Sequence, residues 1–391
     1  MKILQILYYA TPYTSGLTIY ADRLARHMTA RGHQVTTLAS RHEDRLPARE
    51  ETPDAGTIVR VPVAATFDRA VIMPTFLPTA FRLMRQHDVV HIHLPVAETA
   101  ALVAMARALR KRVILTHHSD LVLTGSALSA FGAKAGQWSG ILGGRIANTV
   151  VTYTESRAAV SPTVTRLGDN VVIVSPPVEI GAPSPDARAT YRAAHNMGEG
   201  PVIGFVGRYA IEKGIEVLLQ TIPIVQERFT NAVYAIAGPI HDVRDGSVLS
   251  GPWDAWIEHY RASIRQLDTV SGQELADFYA ACDVTVLPSI NWTETFGLVQ
   301  VESKLCGTPV VASDLPGVRE PIARTGFGEL ATPGDVNDLA AKIIAVIATR
   351  EQYVRSAAEV RARYSLEASI DAYERLYRGE QLAPLVPEQA T

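Results

Sequence analysis

The chain has 391 residues, of which 47% are apolar and 20% charged, and carries a net charge of −3. That composition excludes a disordered polymer, and without a basic balance or basic runs interleaved with aromatics there is no case for nucleic-acid binding. Its only cysteines, Cys282 and Cys306, are too few for a disulfide framework or a zinc ribbon, so a reducing, cytoplasmic setting is expected.

The first element, MKILQILYYA, has the length of a short signal peptide but no A-x-A site follows it, so it is read as a first buried strand. No apolar run reaches the roughly 18 residues of a membrane span; the best, AVIMPTFLPTAF at 70–81, is broken by Pro74 and Pro78. Further strands are predicted at QVTTLAS, TIVRVP, DVVHIHLP, RVILTHH, TVVTYTES and NVVIVSPP, with helical stretches such as LTIYADRLARHMTARG between them. The segment 175–200, rich in Pro, Gly, Ser and Asp, reads as a linker or hinge. The pattern resumes with strands at PVIGFVGR, AVYAIAG, VTVLP and PVVAS and helices near 214–227, 272–281, 297–306 and 335–348. Alternation of this kind predicts an α/β protein of two doubly wound Rossmann-like domains, with a cleft between their strand C-termini. The expected boundaries are 1–190 and 200–365. Residues 1–170 hold 19 Lys and Arg against 12 Asp and Glu, and residues 171–391 hold 18 against 28. The basic first half is either ordinary surface variation or a face suited to an anionic membrane or acceptor.

Chemistry concentrates in TETFGLVQVES (293–303), where Glu294 precedes a glycine turn and Glu302 lies inside the following helix. A helix N-terminus has unpaired N–H groups and about half a positive charge, which suits a phosphate, and glycine permits close approach. GFVGRYAIEKG places Arg208 and Lys213 after another strand. Charge-assisted hydrogen bonds are worth about 1.5–3 kcal/mol each, against about 0.3–1 for an exposed helix terminus. The two cations are therefore expected to dominate diphosphate binding, with Glu294 and Glu302 accepting from sugar hydroxyls. His91 and His93 share one strand face and His117 and His118 end the next strand, but no carboxylate falls at matching spacing for a metal site. Cys282 and Cys306, in apolar contexts, read as core.

The stretch PSINWTETFGLVQVESKLCGTPVVASDLPGVRE, with GRYAIEKG, TSGLTIYADRLARHMTARGHQVTTLAS, HIHLP and THHSD, resembles retaining GT-B glycosyltransferases of family 4 over residues 1 to about 375. The resemblance implies that Glu294 and the backbone around Phe296, Gly297 and Leu298 hold the transferred sugar and distal phosphate. It also implies that Glu302 meets the ribose, Arg208 and Lys213 the diphosphate, Gly16 the distal phosphate, and His118 a sugar hydroxyl. Eight helical residues span at most about 12 Å, enough to reach from hexose to ribose. In that family a final helix, here about 366–378, returns to the first domain, and the residues after Gly379 form a loose tail.

The implied activity moves a hexose from a UDP- or GDP-linked donor to an acceptor hydroxyl with retention, without a metal or other cofactor. The acceptor is a glycan, a lipid-linked glycan, a polyisoprenoid or a small molecule, and peripheral contact at the inner membrane face is a further expectation. A nucleotide-sugar epimerase on the same fold and a silent nucleotide-sugar-binding subunit are the alternatives.

Overall fold

The computed structural model describes residues 1–67, 70–120, 127–239, 252–292 and 294–383. Thr293, in the acidic motif, and residues 384–391 of the expected tail lie outside them. The chain divides into two units, Met1–Pro177 with Leu366–Thr391, and Val178–Ser365.

The first unit contains β1 (Lys2–Ile6), β2 (Gln34–Arg41), β3 (Arg49–Thr52), β4 (Gly56–Pro62), a two-stranded hairpin of β5 (Ala65–Phe67) and β6 (Ala70–Ile72), β7 (Val89–Leu94), β8 (Arg112–His117), β9 (Thr149–Thr152) and β10 (Val171–Ile173). Its main sheet runs β10-β9-β8-β7-β1-β2-β4-β3, parallel except for the antiparallel edge strand β3. Strands covered on both faces are apolar almost throughout, as in the fully buried VVHIHL of β7. Helix Gly16–Ala30 begins at Ser15, whose hydroxyl accepts from the Thr18 N–H while the Thr18 side chain bonds back to the Ser15 N–H. Its buried Tyr20, Ala21, Leu24, Ala25 and Met28 follow the helical period. Helix Leu366–Arg378 packs on this unit by the same rule, burying Ile370, Tyr373, Leu376 and Tyr377 while Glu374 accepts from Arg31 at 2.6 Å.

The second unit contains β11 (Val202–Val206), β12 (Val233–Ala237), β13 (Ile264–Leu267), β14 (Val284–Leu287), β15 (Val310–Ser313) and β16 (Gly328–Ala331), all parallel in the order β13-β12-β11-β14-β15-β16. In each sheet strand order reverses once, between β1 and β7 and between β11 and β14. Those are the points where open α/β sheets leave a crevice for a ligand at the strand C-termini.

The structure differs from the sequence reading in places. The stretch 175–200 is more than a linker: Ala187–Ala194 is a helix packed on helix Gly272–Ala281, and the second unit begins at Val178 rather than near 200. Tyr191 is buried there, and Arg192 binds the Asp283 carboxylate at 2.6 Å and the Ala281 carbonyl at 2.8 Å. These contacts outweigh the local turn composition. The edge strands β3, β13 and β16 were not predicted, because strands of four residues are too short to show a clean alternation. No helix among the described residues is long and apolar enough to cross a membrane.

Candidate active site

At the reversal of the second sheet two loops meet. The first follows β11 and carries Arg208 and Lys213; the second follows β14 and carries Glu294. They are bound together directly, the Ile290 N–H donating to the Glu212 carbonyl at 3.2 Å. Two glycines make the approach possible. Gly214 has φ +69°, and a Cβ there would lie 1.8 Å from the Pro288 carbonyl oxygen. Gly297 has φ +76°, and a Cβ there would lie 2.3 Å from the Leu287 side chain.

The charged groups then pair. Lys213 Nζ donates to Glu294 Oε2 at 2.6 Å, with side chains 28% and 14% exposed, and Arg208 Nη2 donates to Glu212 Oε1 at 3.1 Å. Burial alone would raise the Glu294 pKa. The Lys213 ammonium and the N–H groups of Thr295 and Gly297 outweigh it and hold the carboxyl below its ordinary value, so Glu294 is an anion at neutral pH. Part of the backbone cradle expected for a ligand is therefore engaged by Glu294 itself. Helix Leu298–Leu305 starts at Gly297, which has no side chain to cap it, and the Gln300 N–H turns back to the Gly297 carbonyl at 3.0 Å. Gln300 fixes the turn, donating to the Phe296 and Val318 carbonyls at 2.9 and 3.0 Å.

Of the other predicted residues, Phe296 points its ring into the core against Tyr364, so only its backbone faces this loop system. Glu302 is 5% exposed and accepts from the Tyr279 hydroxyl at 3.3 Å. The structure thus brings Arg208, Lys213, Glu294, Gly297 and Leu298 to one sheet edge, with Glu302 one helical turn further in.

The reversal in the first sheet is different in kind. Gly16 is exposed at the first position of its helix, and a Cβ there would meet nothing within 4 Å. His118 is 6% exposed and uses both ring nitrogens, Nδ1 with the Tyr153 hydroxyl and Nε2 with His93 Nδ1 at 2.9 Å. Burial, then His93 and His117, push the His118 pKa well down; burial lowers His93 to about 3. Both rings are neutral. Of the four nitrogens of these two rings, His93 Nε2 has no hydrogen-bond partner among the described residues. Beside them His91 binds the Tyr377 hydroxyl at 2.8 Å and Thr116 at 2.7 Å, and Thr116 reaches Tyr373 at 2.7 Å. His117 lies 3.4 Å from Asp120, whose carboxylate also takes Arg157 at 2.7 Å and the Ser161 hydroxyl at 3.0 Å. His117 thus sits beside the buried Asp120–Arg157 ion pair. Among the described residues no group of three or more His, Cys, Asp or Glu is placed to hold a metal ion.

Sequence reasoning passed over Glu212 and Tyr153. Glu212, four residues after Arg208, carries a spacing signal; Tyr153 carries none, because only the fold brings it from β9 to His118.

The model "Glycosyltransferase Family 4" matches residues 14–189, and "Glycosyl transferases group 1" matches residues 187–363. The chain is 29% identical, over 96% of both chains, to the phosphatidyl-myo-inositol mannosyltransferase of Mycobacterium leprae. It is 26% identical, over 93% of this chain and 89% of the other, to the D-inositol 3-phosphate glycosyltransferase of Nocardiopsis dassonvillei. The fold is shared with sucrose-phosphate synthase of Thermosynechococcus elongatus, at a TM-score of 0.76 and 20% identity over 96% of this chain and 98% of the other. Nothing in these likenesses speaks for the epimerase alternative. With both units matched and the charged loops at the strand-order reversal, the chain belongs to the glycosyl transferases group 1, family 4, and is a glycosyltransferase of the GT-B fold.

Proposed function

We propose that this glycosyltransferase moves a hexose, mannose being the first donor to test, from a GDP- or UDP-linked sugar to a hydroxyl of an inositol-bearing acceptor held at a membrane surface. The anomeric configuration is retained and no metal takes part. The observation that carries this reading is the Lys213–Glu294 pair at the strand-order reversal, 2.6 Å apart and partly exposed beside an uncapped helix start. An arriving diphosphate offers Lys213 and Arg208 a stronger acceptor than a carboxylate shared with backbone donors. Glu294 keeps its N–H partners and turns its freed oxygen to the sugar. Breaking the bond from the anomeric carbon to the phosphate oxygen leaves an oxocarbenium-like sugar and two cations beside the departing charge. The acceptor oxygen attacks from the same face, and its proton passes to the departing phosphate oxygen. Glu302 is assigned to the ribose, Gly16 to the distal phosphate and His118 to a sugar hydroxyl, for which His118 must exchange one of its two ring partners. The inositol acceptor follows the names of the two relatives above; peripheral contact with the inner membrane face follows the first alone, whose named acceptor is a phosphatidyl lipid.

Incubation with labelled GDP-mannose, UDP-glucose and UDP-galactose, each with and without phosphatidylinositol, tests the reading. One donor is expected to give a glycosylated lipid and, alone, slow release of free sugar. An isomerised donor, or no turnover of any donor, overturns it.

A further inference from the structure

The 20-residue helix Ala127–Ile146 is the longest among the described residues, and its outer face is unusual. Trp138, Leu142 and Ile146 are 55%, 54% and 47% exposed, at spacings of four. With the exposed Lys134 and Arg145 they fall within an arc of about 120° along about 18 Å of helix, at 3.6 residues per turn and 1.5 Å per residue. The opposite side is the packed one: Gly140, Gly143 and Gly144 are buried, and a Cβ at Gly143 or Gly144 would lie 2.7 Å from Thr99 or Leu167, while the buried Ile141 and the Ser139 hydroxyl, which accepts from the Ala100 N–H at 2.9 Å, bound the exposed arc on its two flanks. Between 127 and 146 the sequence has no Asp or Glu. A third cation, Arg166, stands 5.9 Å from the centre of the Trp138 ring, and its carbonyl accepts from Arg145 Nε at 3.0 Å. Single exposed apolar residues are ordinary, but a Trp-Leu-Ile stripe with three cations beside it is not.

We infer that this face of helix Ala127–Ile146 is a docking surface for an anionic lipid bilayer, with Trp138, Leu142 and Ile146 entering the headgroup boundary and Lys134, Arg145 and Arg166 meeting lipid phosphates. The chemistry is that of interfacial helices: apolar area supplies the anchor, and basic residues supply the preference for anionic lipid. Lysine and arginine extend their stems along apolar surface and keep their charges at the phosphate level, while Trp prefers the same depth. A second copy fits less well, since a two-fold contact would set Lys134 and Arg145 against themselves. The inference deepens the proposal of a membrane-held acceptor and rests on it for its purpose.

The test is co-sedimentation of the full chain with unilamellar vesicles of phosphatidylcholine alone, or with about one quarter phosphatidylglycerol, without donor or acceptor. The wild type is expected to bind the anionic vesicles. Trp138→Ser with Leu142→Gln should bind about ten-fold or more weakly, and Lys134→Glu with Arg145→Glu should lose the anionic preference. Lipids brominated along the acyl chain should quench Trp fluorescence in the wild type and less in Trp138→Phe. Failure of the wild type to bind either vesicle, or equal binding by the Trp138/Leu142 variant, overturns the inference. So does a wild-type dimer in ultracentrifugation that this variant splits, which would make the face a contact between copies. Since no sugar or acceptor is present, failure here leaves the transfer reaction standing, and failure of donor turnover leaves vesicle binding standing.

Discussion

The two sheets reverse their strand order in the same way, yet the surroundings of the two reversals are opposites. In the second unit the loops after β11 and β14 present paired charges, Lys213 with Glu294 and Arg208 with Glu212, partly exposed and held by backbone N–H groups. In the first unit the ends of β7 and β8 carry the neutral His91, His93 and His118, buried and linked by hydrogen bonds to Tyr153, just after β9, and to Tyr377 of the C-terminal helix. A half-exposed ion pair exchanges partners readily when an anionic ligand arrives. A buried neutral network does not, and it costs stability when it is forced to charge. The charged reversal is thus the one whose groups are free to change partners, and the neutral one holds its rings in fixed orientation.

The largest effect should come from the carboxylate at the centre of the charged edge. Glu294→Ala is expected to lower kcat by about 100-fold or more, the scale of removing one positioned transition-state contact. Steady-state kinetics on the preferred donor measure this, and a near-normal kcat would remove Glu294 from the chemistry.

Next comes acid sensitivity between pH 7 and 5, centred on the buried histidines of the first unit. His91, His93 and His118 have folded pKa values below their ordinary one of about 6.5, so on acidification the unfolded chain takes up protons first. Stability should be intact above that value and fall as pH drops below it, by up to about 1.4 kcal/mol per pH unit for each ring. The His93 contribution levels off near pH 3, where the folded ring protonates. Glu294, shifted down, keeps its ion pair until the pH falls below the ordinary carboxyl range. Hydrogen exchange corrected for intrinsic rates should show β7 and β8 losing protection between pH 7 and 5 while β14 holds. Equal loss in both units would break the contrast.

Glu302→Ala should have a smaller effect, a several-fold rise in donor KM with little change in kcat, because contacts to a remote part of the donor do not change on the way to the transition state. An equal fall in kcat would move Glu302 into the chemistry. Smallest of all is the expected response to chelation: activity should survive EDTA, since Arg208 and Lys213 neutralise the leaving diphosphate. Full loss restored by manganese or magnesium would contradict that role.

Much of this contrast was legible in the sequence. Buried parallel strands read as apolar runs, so β1, β7, β8, β11 and β14 stood out. Glu294, Gly297, Arg208 and Lys213 were visible because a glycine turn and charges at strand ends are local signals. The histidine network was half visible. His91 and His93 share a face by the period of a strand, but the partners that neutralise and fix these rings, Tyr153, Tyr373 and Tyr377, lie far along the chain. Helix Ala187–Ala194 was hidden for a related reason: its flanks have loop composition, while Arg192 and Tyr191 find their partners only in the folded unit.

The central claim is that the charged edge of the second unit holds the diphosphate of a nucleotide sugar. Isothermal titration of UDP and GDP into the wild type and into Arg208→Ala with Lys213→Ala addresses it most directly. Two charge-assisted hydrogen bonds at about 1.5–3 kcal/mol each predict a loss in affinity of about 100-fold or more for the double variant. Equal affinity in the two proteins would contradict the account.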